Sequence, residues 1–318
     1  MTCNGSPFRS RRSEASRRQP MFCFCGAAMT LTRRQLMITP LAFGLGAVGY
    51  PALADPVRWS EPLADARSAS HSVSRLEIST EAGAYWLFLF APRGEAPQKG
   101  WRSLWMLDGN SVFDRLPAEL LAAHPDVAVI AVGYPGVELF DRERRSIDYT
   151  PATAGSNVDP RHPDRQTGGD AVFRAALTGP LRQAVEDRIA LDPSRRTLWG
   201  HSYGGLFTIS TLFAAPESFR CWVPASPSTG FGEGALFVAE RTARRVPGRI
   251  APVHILLGDR ERRRDSPAAS MPVPSPQTMS LVERLRERPD LAVQVTVLEG
   301  LGHGATFAAS FAAARQSG

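Results

Sequence analysis

Thr197-Leu198-Trp199-Gly200-His201-Ser202-Tyr203-Gly204-Gly205-Leu206 passes from a β-rich run into an apolar helical pattern through a serine set between glycines. Gly200, Ser202 and Gly204 form the pattern G-x-S-x-G. Such a serine has to occupy a strained turn between strand and helix that exposes its hydroxyl. The flanking glycines let neighbouring backbone approach where a Cβ would clash. Context carries the reading: a strand leads directly in, and Leu206-Phe207-Thr208-Ile209 leads out as a helix. The plainer alternative is a glycine-rich turn that packs a helix on a sheet.

Outward from this turn, short β-rich runs alternate with helical stretches. The expected strands are 72–78, 85–91, 103–107, 127–132, 196–199, 221–225, 253–257 and 293–298. The expected helices are 111–124, 170–189, 203–214, 236–244, 279–286 and 305–314, with Gly179-Pro180 splitting or kinking the second. The first two strands have no helix between them and should pair antiparallel. The later β-helix-β order predicts a mostly parallel eight-stranded sheet with helices on both faces. Gly136 to Gly169 fits no periodicity, and a loop of that length inside a compact domain usually carries function.

A serine nucleophile needs a base and an acid, and in folds with this turn they follow in the order serine, acid, histidine. His303 lies in Glu299-Gly300-Leu301-Gly302-His303-Gly304 after the last expected strand, where glycines let the loop bring the imidazole back over the sheet. His71, His124 and His162 precede the serine. His201 adjoins it with its side chain directed elsewhere by the turn, and His254 sits within an apolar strand. The acid is Glu261 or Asp259, both at the C-terminal end of the penultimate strand where catalytic groups gather in parallel sheets. If both are solvated loop charges, a Ser202–His303 dyad does the work. Two backbone N–H groups should hold the oxyanion. One belongs to Tyr203. The other comes from the turn Asp108-Gly109-Asn110, with Asn110 as the candidate.

The chain has 318 residues, 43% hydrophobic and 21% charged, which excludes collagen-like, coiled-coil and mostly disordered classes. The net charge of +6 is not spread over the chain: seven of the 37 basic residues and one of the 31 acidic ones lie in residues 1–54, leaving thirty of each. A phosphate-binding footprint belongs on the folded domain, so nucleic acid is not an expected partner. Thr32-Arg33-Arg34-Gln35-Leu36-Met37 is a twin-arginine pattern, followed by an apolar run and by Ala52-Leu53-Ala54 before Asp55. Residues 29–54 therefore read as a twin-arginine-type signal peptide with cleavage before Asp55, and the periplasm as the destination. The alternative is an uncleaved membrane anchor. Residues 1–28 read as an over-extended, disordered N-terminus, and 55–318 as one α/β domain. Of the four cysteines only Cys221 follows residue 54, and it reads as a buried strand thiol.

Together these motifs resemble the esterase D-like family of α/β-hydrolases, and within it the periplasmic catecholate-siderophore esterases that open enterobactin and salmochelin. The resemblance rests on Leu107-Asp108-Gly109-Asn110, Arg145-Ser146-Ile147-Asp148-Tyr149-Thr150-Pro151, Gly168-Gly169-Asp170, Gly200–Leu206, Ser226-Pro227-Ser228 and Gly302-His303-Gly304. It implies an α/β-hydrolase fold, hydrolysis of ester bonds in a trilactone scaffold, a dyad or weakly assisted triad, no cofactor and no catalytic metal. The implied partner is a small-molecule ester such as a ferric siderophore, taken up by a monomer. A ferric tris-catecholate is a compact trianion, so Arg145 and Tyr149 are candidates for charge and stacking at the site mouth. The competing role for Arg145 is structural, holding Asp148. Two other functions stay open: a general carboxylesterase or acyltransferase on small acyl or feruloyl esters, and a non-catalytic periplasmic binding module.

Overall fold

The computed structural model describes residues 69–316 apart from 154–155, 160–161, 246–247 and 262–273. The leader and residues 1–28 lie outside the described residues. The elements run β1 (His71–Thr80), β2 (Gly83–Pro92), β3 (Trp101–Leu107), α1 (Gly109–Arg115), α2 (Ala118–Ala123), β4 (Val127–Gly133), α3 (Arg142–Asp148), β5 (Val158–Asp159), β6 (His162–Gln166), α4 (Asp170–Thr178) and α5 (Pro180–Glu186). They continue with β7 (Leu191–His201), α6 (Tyr203–Ala214), β8 (Cys221–Ala225), α7 (Ala235–Arg241), β9 (Ala251–Gly258), α8 (Pro276–Glu287), β10 (Leu291–Leu298) and α9 (Thr306–Gln316).

Eight strands form one sheet in the order β1-β2-β4-β3-β7-β8-β9-β10. β1 pairs antiparallel with β2, and β2 antiparallel with β4; from β4 onward every pairing is parallel. The central strands are apolar on both sides because both faces are covered. Every residue of β4 is buried. Along β2, Tyr85, Leu87 and Leu89 enter one core and Phe88 and Phe90 the other. Helices α4 to α8 supply Phe173, Leu181, Leu206, Leu236 and Leu281 to the first core. Helices α1, α2 and α9 supply Phe113, Leu121 and Phe311 to the second. The sheet lies between these layers, which is the α/β-hydrolase architecture.

Two expectations change in detail, and a third, the split or kink at Gly179-Pro180, is decided as a split. The helix expected over 111–124 is two, because Pro117 forces Leu116 into extended backbone (φ −69°, ψ 114°) and ends α1 there. Residues 170–189 likewise divide at Gly179, with Pro180 opening α5. The aperiodic segment 136–169 contains α3 and the small β5–β6 hairpin. A seven-residue, charge-rich helix is too short to show a 3.6-residue period. Its signal is local: the Asp141 carboxylate accepts the Arg144 amide at 2.9 Å as an N-cap. Cys221 is a buried thiol on β8 that forms no disulfide among the described residues.

Candidate active site

Ser202 stands between β7 and α6 at φ 60°, ψ −114°, a conformation that costs a non-glycine residue about 1–3 kcal/mol and persists only where packing enforces it. Here the crossing is tight. A Cβ on Gly200 would lie 2.3 Å from the Gly204 carbonyl oxygen, and one on Gly205 2.9 Å from that of Ala225. The Ser202 amide donates to Ala225 at 3.0 Å, and the Ser202 carbonyl accepts from the Ser228 amide at 3.1 Å. The turn is thus stitched to the end of β8.

His303 lies between β10 and α9, with Nε2 3.0 Å from Ser202 Oγ. Its Nδ1 is 3.5 Å from Glu261 Oε2, at the outer limit of a hydrogen bond. The second Glu261 oxygen is committed elsewhere: Oε1 accepts from the Ser226 hydroxyl and the Gly258 amide. Of the two candidate acids, Glu261 reaches His303, whereas Asp259 Oδ1 is buried without a hydrogen-bond partner among the described residues. Ser228 Oγ sits 3.3 Å from Ser202 Oγ.

The turn after β3 adjoins the elbow. A Cβ on Gly204 would meet the Leu107 side chain at 3.5 Å and Asp108 Oδ2 at 3.7 Å. Tyr203 is the first residue of α6, at the helix end whose N–H groups project out of the first turn. Asn110 is in α1, and its side chain is clamped: Nδ2 donates to the Tyr134 carbonyl at 3.0 Å and Oδ1 accepts the Tyr134 amide at 2.9 Å. With the side chain held in this way, the backbone N–H of Asn110 is the group placed for an oxyanion. Asp108 is left-handed (φ 56°) and buried.

Tyr149 lies elsewhere than at the expected site mouth, and Arg145 is held beside the elbow by a structural partner. The Arg145 guanidinium grips Asp108 through both carboxylate oxygens, at 2.8 and 3.0 Å, with Nη2 also 3.5 Å from the His201 carbonyl. Burial, the largest single influence, works against its charge, but the Asp108 carboxylate with Tyr149 and Tyr134 together outweighs it, so its pKa is raised above the ordinary value. Its side chain keeps 14% exposure. Asp148, the partner considered from the sequence, pairs instead with Arg144 at 3.5 Å and accepts the Tyr85 hydroxyl at 2.8 Å. Tyr149 has no exposed surface, and its hydroxyl accepts the Asp108 amide at 3.1 Å. Tyr149 therefore supports the turn after β3 and presents no ring to a ligand, which corrects the expectation of stacking there. The segment supplied one more residue that sequence reasoning missed. Asp159 of the β5–β6 hairpin is buried and accepts the Tyr203 hydroxyl, tying the hairpin to the elbow. No local pattern marks that contact, because its partners are 44 residues apart.

No group of three or more potential metal ligands occurs among the described residues. The arrangement as a whole—a half-buried serine hydroxyl on an imidazole, beside the amides of a helix start and a tight turn—can carry out nucleophilic acyl transfer.

The prolyl oligopeptidase family model matches residues 179–233, the stretch around the elbow. The apo-salmochelin esterase of Escherichia coli is 37% identical over 181 residues, 55% of this chain and 57% of that protein. The ferri-bacillibactin esterase BesA of Bacillus subtilis is 28% identical over 200 residues, 58% of this chain and 68% of that protein. The chain thus spans little more than half the length of the first of these relatives. The solved enterobactin and salmochelin hydrolase IroE superposes with a TM-score of 0.65 at 30% identity, covering 80% of this chain and 98% of that one. Near-complete coverage of a solved hydrolase at that identity, on the same sheet order that puts Ser202 against His303, shows that the chain belongs to the siderophore-esterase family of α/β-hydrolases.

Proposed function

We propose that the protein is an exported serine esterase that cleaves the ester bonds of a trilactone catecholate siderophore. The observation that carries this is the 3.0 Å contact between Ser202 Oγ and His303 Nε2 at a strained strand-to-helix turn. Ser202 Oγ attacks the ester carbonyl as His303 Nε2 takes its proton. The backbone N–H groups of Tyr203 and Asn110 hold the developing oxyanion. Collapse of the tetrahedral intermediate expels the alcohol, which leaves with the proton from His303, and water cleaves the acyl-enzyme by the same route in reverse. Glu261 orients the His303 ring through Nδ1. No cofactor takes part in these steps.

The substrate class follows the relatives named for apo-salmochelin, ferri-bacillibactin and enterobactin. Arg145 serves it in two ways. Its fork holds Asp108, and so the turn that carries Asn110. Among the described residues Nη1 has no hydrogen bond, which leaves that edge for a catecholate oxygen. Export to the periplasm follows from the Arg33-Arg34 leader, with 55–318 as the working domain. An intact Ser202–His303 pair speaks against a mere binding module, which has no need of both.

The test is a panel of a trilactone siderophore, with and without ferric iron, and p-nitrophenyl butyrate. Turnover of the trilactone is expected, with a fluorophosphonate labelling one serine. Ser202→Ala should lower kcat by about 10³-fold or more and abolish labelling while substrate still binds. Labelling at another serine would remove the elbow from the mechanism. Turnover of the butyrate alone would make the protein a general carboxylesterase.

A further inference from the structure

His201 ends β7 directly before the nucleophile, yet its side chain reaches the other half of the catalytic pair. The ring is 5% exposed and packs 4.8 Å from the His303 ring and edge-on to Phe307. Its Nε2 lies 2.8 Å from the backbone carbonyl of His303 and 3.0 Å from Thr306 Oγ1. A carbonyl only accepts, so Nε2 carries the proton and Nδ1 does not. Thr306 Oγ1 also donates to the His303 carbonyl, at 2.7 Å. Two donors from separate elements, the end of β7 and the start of α9, thus converge on one oxygen.

The loop needs such an anchor. Gly300, Gly302 and Gly304 surround His303, and glycine loses more backbone freedom on ordering than any other residue. Backbone hydrogen bonds pin the loop at Leu301, whose carbonyl accepts the Arg260 amide at 3.0 Å, and at Gly302, whose carbonyl accepts the Ala305 amide at 3.0 Å; a Cβ on Gly300 or Gly304 would meet nothing within 4 Å, so no side-chain packing adds to them there. The His303 side chain is 45% exposed. Its acid contact is 3.5 Å, too long to fix the ring alone. Reaction geometry nonetheless tolerates little error, since a shift of about 1 Å costs roughly 100-fold in rate.

We infer that His201 is a positioning residue for ester cleavage: its imidazole N–H, donating to the His303 carbonyl, sets the loop so that His303 Nε2 meets Ser202 Oγ. The inference rests on the Ser202–His303 reading above. The ring also has to stay neutral, because a second cation beside His303 would oppose the imidazolium formed there during catalysis. Burial first, and the neighbouring His303 second, hold His201 well below the ordinary histidine pKa.

The test compares His201→Gln with His201→Asn. Gln places its amide nitrogen near the position of Nε2, whereas Asn carries the same group too short to reach the His303 carbonyl. Rates of fluorophosphonate labelling at Ser202, kcat and KM for p-nitrophenyl butyrate, and the thermal midpoint are measured for both. Gln should retain kcat and labelling to within about 5-fold. Asn should lose about 100-fold in both with KM within about 2-fold. Equal kcat in the two variants, or losses that track the thermal midpoint and not the reach of the amide, would overturn the positioning role. Thr306→Val, which keeps volume and removes the second donor, should slow labelling and make the Gln–Asn difference larger. An unchanged difference would count against the shared anchor. Labelling of Ser202 in the wild-type protein reports the nucleophile separately, so its absence would remove the esterase reading itself.

Discussion

Glu261 shows how much one distance decides at the scale of a residue. A carboxylate that holds a catalytic histidine tightly stabilises the imidazolium, and its removal then costs about 10⁴-fold in kcat. Here Oε2 is 3.5 Å from His303 Nδ1, and Oε1 is drawn back by the Ser226 hydroxyl and the Gly258 amide. On the mechanism proposed above, the carboxylate is a weak orienting group. Glu261→Gln, which keeps an acceptor for Ser226, should lower kcat/KM for p-nitrophenyl butyrate by about 10-fold, equivalent to roughly 1.4 kcal/mol. A loss of 10³-fold or more would make Glu261 a full triad member. That Ser202 and His303 meet was legible in the sequence, because a strained turn and a glycine-flanked loop leave short local patterns; the acid stayed open between Glu261, Asp259 and none. The anchoring role of His201 was not legible. Its partners, His303 and Thr306, lie 102 and 105 residues away, and only the folded sheet brings them together.

At the scale of an element, α3 is the part of the fold that sequence periodicity missed and the part that joins most pieces of the site. Arg144 reaches the β1–β2 turn, donating to the Ala82 carbonyl at 3.0 Å; Arg145 grips the turn after β3; Asp148 meets Tyr85 on β2. Charges in a segment without periodicity are spent on the ends of different strands, and Pro117 likewise cuts a helix whose apolar pattern ran on. This clasp carries a pH signature. Burial, the largest influence, raises the Asp148 carboxyl from 3.8 to about 6, against the pull of the Tyr85 hydroxyl and Arg144. Between those values the folded chain holds a proton that the unfolded chain has released. This contribution to stability is complete below pH 3.8 and is lost as pH rises through about 6. Asp148→Asn keeps the acceptor for Tyr85 and removes the titration. The thermal midpoint of the variant should fall less steeply than that of the wild type between about pH 4 and 6 and should not be lower at pH 7. Parallel midpoint–pH curves for the two proteins would place the titration elsewhere.

At the scale of the whole molecule, charge, cysteine use and the twin-arginine pattern of residues 32–37 bear on the proposed export. Residues 55–318 carry thirty basic and thirty acidic side chains, so the excess charge resides in the segment before them. No helix among the described residues is long and apolar enough to cross a membrane. The one cysteine after residue 54 is Cys221, buried on β8. The domain therefore needs no disulfide and can complete its fold in a reducing compartment. On the proposed export it would also gain by folding first: its sheet is built mostly from parallel pairings between distant segments, which form slowly and expose apolar edges meanwhile. A twin-arginine route, which carries folded proteins, suits both properties, and its receptor reads the guanidinium pair. Replacing Arg33 and Arg34 together by Lys keeps the charge and removes the planar forks. The double variant should accumulate in the cytoplasm as folded, fluorophosphonate-reactive precursor, while the wild-type protein reaches the periplasm with Asp55 as its first residue. Undiminished periplasmic yield from the double variant would show a different route, and an exported wild-type protein that keeps residues 29–54 would show that the leader serves as an anchor.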